Sequence, residues 1–125
     1  MDPRDRRREP RIPVKDRISV TLVSAPGIPH IEQHVMHCTM HDVSMDGLNF
    51  QTYTHMPVGT TVDVIVKTED TGTEIRRRGE VVWERSSQED IVLSQRIGVR
   101  LLRAAGQLED AWQRLLDTKM ALQPA

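Results

Sequence analysis

The sequence predicts an all-β domain: six short antiparallel strands, forming a small barrel or a sandwich, with one C-terminal helix packed on them. Three observations carry this reading. Apolar residues alternate with polar ones at a period of two in six short, regularly spaced stretches. Pro- and Gly-bearing segments punctuate them. Only after Gly106 does the apolar spacing change to the i, i+3, i+4, i+7 pattern of an amphipathic helix. Closing six strands into a ring would remove exposed sheet edges.

The elements follow in order. Pro10 to Pro13 reads as extended chain, because proline fixes its own φ and disfavours helix in the residue before it. The first strand spans Arg17 to Val23, with Ile18, Val20 and Leu22 alternating against Ser19 and Thr21. Residues 24–29 form a Pro- and Gly-rich turn. In the second strand, Val35 to Val43, Met36, Cys38 and Met40 share one face. A short third strand after Gly47 places Leu48 and Phe50 together, and a fourth aligns Val62, Val64 and Val66. Residues 69–72 read as a hairpin connection into a fifth strand, Glu74 to Trp83. Ser86 to Asp90 is polar and reads as loop, before a sixth strand carrying Ile97, Val99 and Leu101. In the helix, Leu108, Ala111, Trp112, Leu115, Leu116 and Met120 make the apolar face, laid over an opening or flank of the sheet.

The chain has 125 residues, 38% of them hydrophobic and 28% charged, which suits one globular domain with one core. No stretch reaches the roughly 20 apolar residues of a membrane helix, and the N-terminus has no apolar signal region. A single cysteine, Cys38, excludes a disulfide framework. A cytoplasmic location with no membrane insertion is expected. Residues 1–17 hold seven basic and four acidic side chains, a surplus of three. With an overall net charge of −1, the remainder carries four net negative charges. The expected organisation is a flexible basic arm over 1–11, a barrel and helix over 12–120, and a tail over 121–125. An arm of that charge meets something anionic or serves as a solvated tail.

Catalytic signatures are missing. His34, His37 and His41 with Cys38 would share a face only on a helix. On a strand His37 and His41 point away from His34 and Cys38, so neither a metal nor a cofactor is expected. Carboxylate pairs such as Glu69-Asp70 and Glu89-Asp90 lie in loop-like stretches, and no nucleophile-elbow, zincin or phosphate-loop motif occurs. An enzyme is not expected. With only Phe50, Tyr53, Trp83 and Trp112 as aromatics, no stacking platform for single-stranded nucleic acid is visible, and no specific nucleic-acid partner is expected.

Two segments carry unusual constraints. In Arg6-Arg7-Arg8-Glu9-Pro10-Arg11, arginine is used throughout. Its planar fork suits phosphate and the O6/N7 edge of guanine, and it stacks on base faces. In Asp42-Val43-Ser44-Met45-Asp46-Gly47, an acceptor, a hydroxyl and a glycine make a tight polar turn between the second and third strands. Gly47 is expected to take a positive φ and to admit a close backbone approach. Taken singly, this is an ordinary hairpin turn.

Together these segments resemble the PilZ family of bacterial cyclic di-GMP receptors. An Arg-x-x-x-Arg motif (Arg7 to Arg11) precedes the first strands, and an Asp/Asn-x-Ser-x-x-Gly motif (Asp42, Ser44, Gly47) follows the second. Gly79 to Trp83 and Ile97 to Leu101 are similar to the family's last two barrel strands, and the likeness spans roughly 5–116. It implies a six-stranded antiparallel β-barrel with a C-terminal helix. It also implies cyclic di-GMP as ligand: Arg7 and Arg11 on phosphate and guanine, Arg8 against the second base, and Asp42 accepting from guanine N1–H and N2–H₂. Ser44 would contact base or phosphate, Gly47 would leave room for the ligand, and Trp83 would supply a stacking surface or pack in the core. Arg6, directly before the first motif arginine, goes in the family with a stacked pair of ligands. Ordering of the arm would then signal to a bacterial effector protein that the sequence does not identify. The alternatives are a nucleotide-independent interaction module of the same fold and a weak nucleic-acid binder.

Overall fold

The computed structural model describes residues 11–28, 34–67, 72–89 and 92–122. Its elements are β1 (Ile12–Pro13), β2 (Arg17–Ser24), β3 (Val35–Val43), β4 (Gly47–Thr52), β5 (Thr61–Lys67), β6 (Glu74–Glu89), β7 (Val92–Leu101) and α1 (Gly106–Ala121). All strand pairs are antiparallel, in the order β3-β2-β5-β6-β7-β4, and β4 returns to pair with β3. The ring therefore closes as a six-stranded barrel.

The short β1 lies beside the end of β3, with Ile12 opposite Val43, while β2 lies along the start of β3, with Arg17 opposite Thr39. The two are one interrupted strand position. Two backbone bonds stitch the gap: Val14 N–H to the His41 carbonyl at 2.9 Å, and Met40 N–H to the Asp16 carbonyl at 2.8 Å. The chain that leads from the arginine segment is thereby fixed to the barrel wall before β2 begins.

Alternation decides the interior. Ile18 and Val20, Cys38 and Met40, Leu48 and Phe50, Val62, Val64 and Val66, Val81, and Ile97 with Val99 are all buried in one core. Burial also raises the pKa of the Cys38 thiol, with a weaker opposing hydrogen bond from Thr52. Cys38 should therefore resist iodoacetamide at pH 8 in the folded chain and react once denaturant exposes it. Labelling of native protein at the rate of a free thiol would contradict this burial.

Two expectations need correction. Ser86 to Asp90 is not simply loop: β6 continues to Glu89 and β7 begins at Val92, paired down to Glu89 opposite Val92. β4 ends at Thr52, opposite Gln95, and β5 begins at Thr61, opposite Glu80. Beyond the Ser86–Gln95 pair, the two strands form a ribbon with no further strand beside it among the described residues, so no core-facing alternation marks it in the sequence. The second correction concerns α1. Trp112, Leu115 and Leu116 pack on the barrel as expected, but Met120 is 48% exposed and Lys119 is buried instead. Lys119 forms an ion pair with Asp16 in the β1–β2 connection. No described helix is long and apolar enough to cross a membrane.

Candidate functional site

β3 ends with Asp42 and Val43, residues 44–46 turn, and Gly47 opens β4. The Ser44 N–H and Oγ–H both donate to the Gly47 carbonyl, at 2.8 and 3.2 Å. Ser44 is buried, so its hydroxyl serves the turn first and retains only acceptor capacity. From outside the turn, the Asp46 carbonyl accepts from Leu101 N–H at 2.8 Å, and the Ser44 carbonyl accepts from Trp112 Nε1–H at 3.0 Å.

Gly47 does not take the positive φ expected of it; the described glycines that do are Gly27, Gly59 and Gly72. Its reason is close approach. A Cβ there would sit 2.8 Å from the Val99 carbonyl oxygen, so glycine is what lets β4 lie against β7 at the start of their pairing. The space that the sequence suggested for a ligand is taken, on this side, by barrel backbone.

The turn receives the arginine segment. Arg11 Nη1 lies 2.5 Å from Asp42 Oδ1, both side chains about a quarter exposed. One residue of each sequence motif thus meets the other. Arg6, Arg7 and Arg8 lie outside the described residues.

Register then lays out the surface beside this pair. Asp42 stands opposite Asn49, Asn49 opposite Gly98, and Gly98 opposite Trp83, a row across β3, β4, β7 and β6. Leu48, Phe50, Ile97 and Val99 point into the core, so Asn49 and Gly98 belong to the outer set. A second outer row follows: Thr39 opposite Gln51, Gln51 opposite Arg96, and Arg96 opposite Arg85. Gln51 is held between His41 Nε2 at 2.9 Å and Ser94 Oγ at 2.8 Å.

Trp83, half-buried, lies flat on this face because Gly98 has no side chain. A Cβ on Gly98 would come within 2.0 Å of Trp83 Cε2. The Arg85 guanidinium, from the neighbouring row, sits 5.1 Å from the ring centroid. Gly98→Ala should lift the indole off the strand and red-shift tryptophan emission while the far-ultraviolet circular dichroism of the barrel persists. An unchanged emission spectrum would show that the ring is not seated there.

Sequence reasoning missed Asn49, Gln51, Arg85 and Arg96, because only strand register puts them on the same outer face as Asp42. Their polar state is notable. Asn49 is 5% exposed, yet its Oδ1 has no hydrogen-bond partner among the described residues, and the same holds for the buried Nε atoms of Arg11 and Arg96. Arg85 and Arg96 are directly opposed like charges, an arrangement that costs stability in a sheet. The two Nε–H donors and the surplus positive charge suit an anionic ligand, and the Asn49 Oδ1 acceptor suits one that also carries an N–H donor. Among the described residues the histidines do not converge on it as a group: His37 contacts Ser19, His41 contacts Gln51, and His55 contacts Glu84.

A closed six-stranded antiparallel barrel, capped by a C-terminal helix and bearing an arginine–aspartate junction at its β3–β4 turn, defines the class of domain. The chain belongs to the PilZ domain family, whose model matches residues 5–118. Solved structures share the fold. The PilZ domain with c-di-GMP of YcgR from Escherichia coli has a TM-score of 0.68 at 17% identity, covering 94% of this chain and 93% of that one. The K. pneumonia MrkH–c-di-GMP complex has a TM-score of 0.66 at 16% identity, covering 94% of this chain and 54% of that one. The PilZ domain of CeSA from a cellulose-synthesizing bacterium reaches 0.57 at 16% identity, covering 90% and 97%. No curated protein matches the sequence.

Proposed function

We propose that this chain is a receptor for cyclic di-GMP, gripping it between the arginine segment and the outer face of β3, β4, β7 and β6. The observation that carries the reading is the Arg11–Asp42 contact at 2.5 Å, which joins the two segments the ligand must bridge. Membership of the PilZ family, and neighbours solved with c-di-GMP, support the same ligand class.

In this reading Arg7 and Arg11 take phosphate and guanine, and Arg8 takes the second base. Asp42 accepts from guanine N1–H and N2–H₂, as a carboxylate suited to two parallel donors. Ser44 and Gly47 act by shaping the turn that aims Asp42. Trp83 offers an aromatic face, and Arg85 and Arg96 extend the positive surface beyond it. The chain does no chemistry on the ligand. Ordering the arm over the barrel changes the surface offered to an effector protein, which is how binding is transmitted. Arg6 provides for a second, stacked ligand molecule.

Two or three charge-assisted hydrogen bonds of roughly 1.5–3 kcal/mol each, offset by ordering the arm, leave about −8 kcal/mol, near micromolar. Titration calorimetry with cyclic di-GMP, linear pGpG and GTP tests this. Cyclic di-GMP should bind near micromolar, with a stoichiometry of one or two, and at least tenfold more tightly than the others. No heat with cyclic di-GMP would leave the nucleotide-independent interaction module. Affinity for any duplex that collapses with salt would point to a nucleic-acid binder instead.

A further inference from the structure

The helix touches the 42–47 turn and the connection that follows the arginine segment. Near its middle, the buried Trp112 donates Nε1–H to the Ser44 carbonyl. Near its end, Lys119, 5% exposed, pairs with the Asp16 carboxylate. Asp16 lies five residues beyond Arg11, and the intervening Ile12–Pro13 is paired to the end of β3. Its carbonyl also accepts from Met40 N–H at 2.8 Å. Residues 12–16, which follow the arginine segment in the chain, are therefore pinned on one side by β3 and on the other by α1.

The turn is bound just as closely. Its groups are taken up by Gly47, Leu101 and Trp112, so Ser44 cannot shift without breaking a bond to the helix. Trp112 is itself held from below. Arg77, pointing inward from β6 and 3% exposed, places its guanidinium 5.1 Å from the Trp112 ring centroid and donates from Nη2 to the Leu102 carbonyl at 3.0 Å. Both contacts use polar groups where packing alone would be served by apolar ones. Burying a lysine and an indole N–H costs desolvation that only a correctly placed partner offsets. Such groups fix position more than they add stability.

We propose that α1 braces the binding face, with Trp112 aligning the 42–47 turn and Lys119 aligning the root of the arginine segment before ligand arrives. This rests on the receptor reading above. Trp112 and Lys119 are positioning residues that touch no ligand. Their effect is preorganisation: ordering that is already present need not be supplied on binding. By reciprocity, ligand gripped between turn and arm must tighten the docking of α1.

The test uses the full chain titrated with cyclic di-GMP, followed by calorimetry and by ¹H–¹⁵N spectra of the two indole groups. Trp83→Phe assigns which resonance is which. Lys119→Met should weaken binding about fivefold, a loss of about 1 kcal/mol at 1.4 kcal/mol per tenfold. Trp112→Phe, which keeps a ring on Arg77 but removes the N–H, should do the same. Arg114→Ala, on the exposed side of α1, should bind as the unaltered chain. The Trp112 indole resonance should move on ligand addition although it lies beneath the turn, a response that a purely structural role would not give. An unaltered affinity in Lys119→Met, or a Trp112 resonance that stays fixed while ligand saturates the chain, overturns the brace. Both readouts stand even if Trp112→Phe fails to fold. An unaltered chain that binds no cyclic di-GMP refutes the receptor reading itself, which separates the two failures.

Discussion

Arg11→Ala is expected to lower affinity for cyclic di-GMP at least tenfold while leaving the barrel folded. The Arg11–Asp42 pair is about a quarter exposed on each side, so its contribution to folding is small, about 0–1 kcal/mol. Its contribution to binding is larger. Removing the guanidinium deletes charge-assisted hydrogen bonds to the ligand worth roughly 1.5–3 kcal/mol each. It also leaves Asp42 without the cation that offsets its charge beside a dianionic ligand. Arg7→Ala should match it and Arg4→Ala should change little. Arg11→Lys should rescue only part of the loss, because an ammonium cannot span two acceptors as a planar fork does. Calorimetry on the four variants decides; equal affinity for Arg4→Ala, Arg7→Ala and Arg11→Ala would defeat the assignment.

Trp112→Ala should be the most damaging single change to stability. Truncating a fully buried tryptophan costs about 3–5 kcal/mol. The Ser44 carbonyl also loses its donor, and Arg77 loses the ring face that covers its buried guanidinium. Burial and the loss of solvent already pull the Arg77 pKa below the usual arginine range, against the opposing pull of Glu109 and Asp46. Set against a total of about 5–15 kcal/mol for a domain, this substitution should lower the melting temperature by roughly 10–20 °C. A circular dichroism melt within a few degrees of the unaltered chain would show that α1 is not integral to the barrel.

Much of the fold was legible because a barrel wall has one dry and one wet side. Ile18 and Val20, or Val62, Val64 and Val66, advertise that side at a period of two, and the helix announces itself by the change of period after Gly106. Legibility ended where the physical cause of the pattern ended. Ser86 to Glu89 pairs as strand beyond the barrel, with no core behind it to impose apolar positions. Lys119 is buried because Asp16, more than a hundred residues earlier, supplies its counter-charge, and helical spacing alone favoured Met120. The site was half readable. Asp42, Ser44 and Gly47 are local in sequence, and Arg11 meets the first of them, Asp42. Asn49, Gln51, Arg85 and Arg96 carry no motif, since their relation to Asp42 exists only through strand register. Of the two reasons the sequence offered for Gly47, the positive φ is not used and the close backbone approach is, with the Val99 carbonyl as the group that approaches.

The row from Asp42 through Asn49 and Gly98 to Trp83 crosses the seam where β4 meets β7, an alignment of segments about fifty residues apart in the chain. Such long-range closure is the slow, late event in folding an all-β domain. On the proposed function, the recognition surface and the completed tertiary structure are therefore one cooperative unit, and a partly folded chain would have nothing to offer a nucleotide. A ligand that selects only the finished barrel raises the unfolding temperature with its own concentration. On the proposed function, the concentration of cyclic di-GMP would then govern how long the folded chain survives proteolysis.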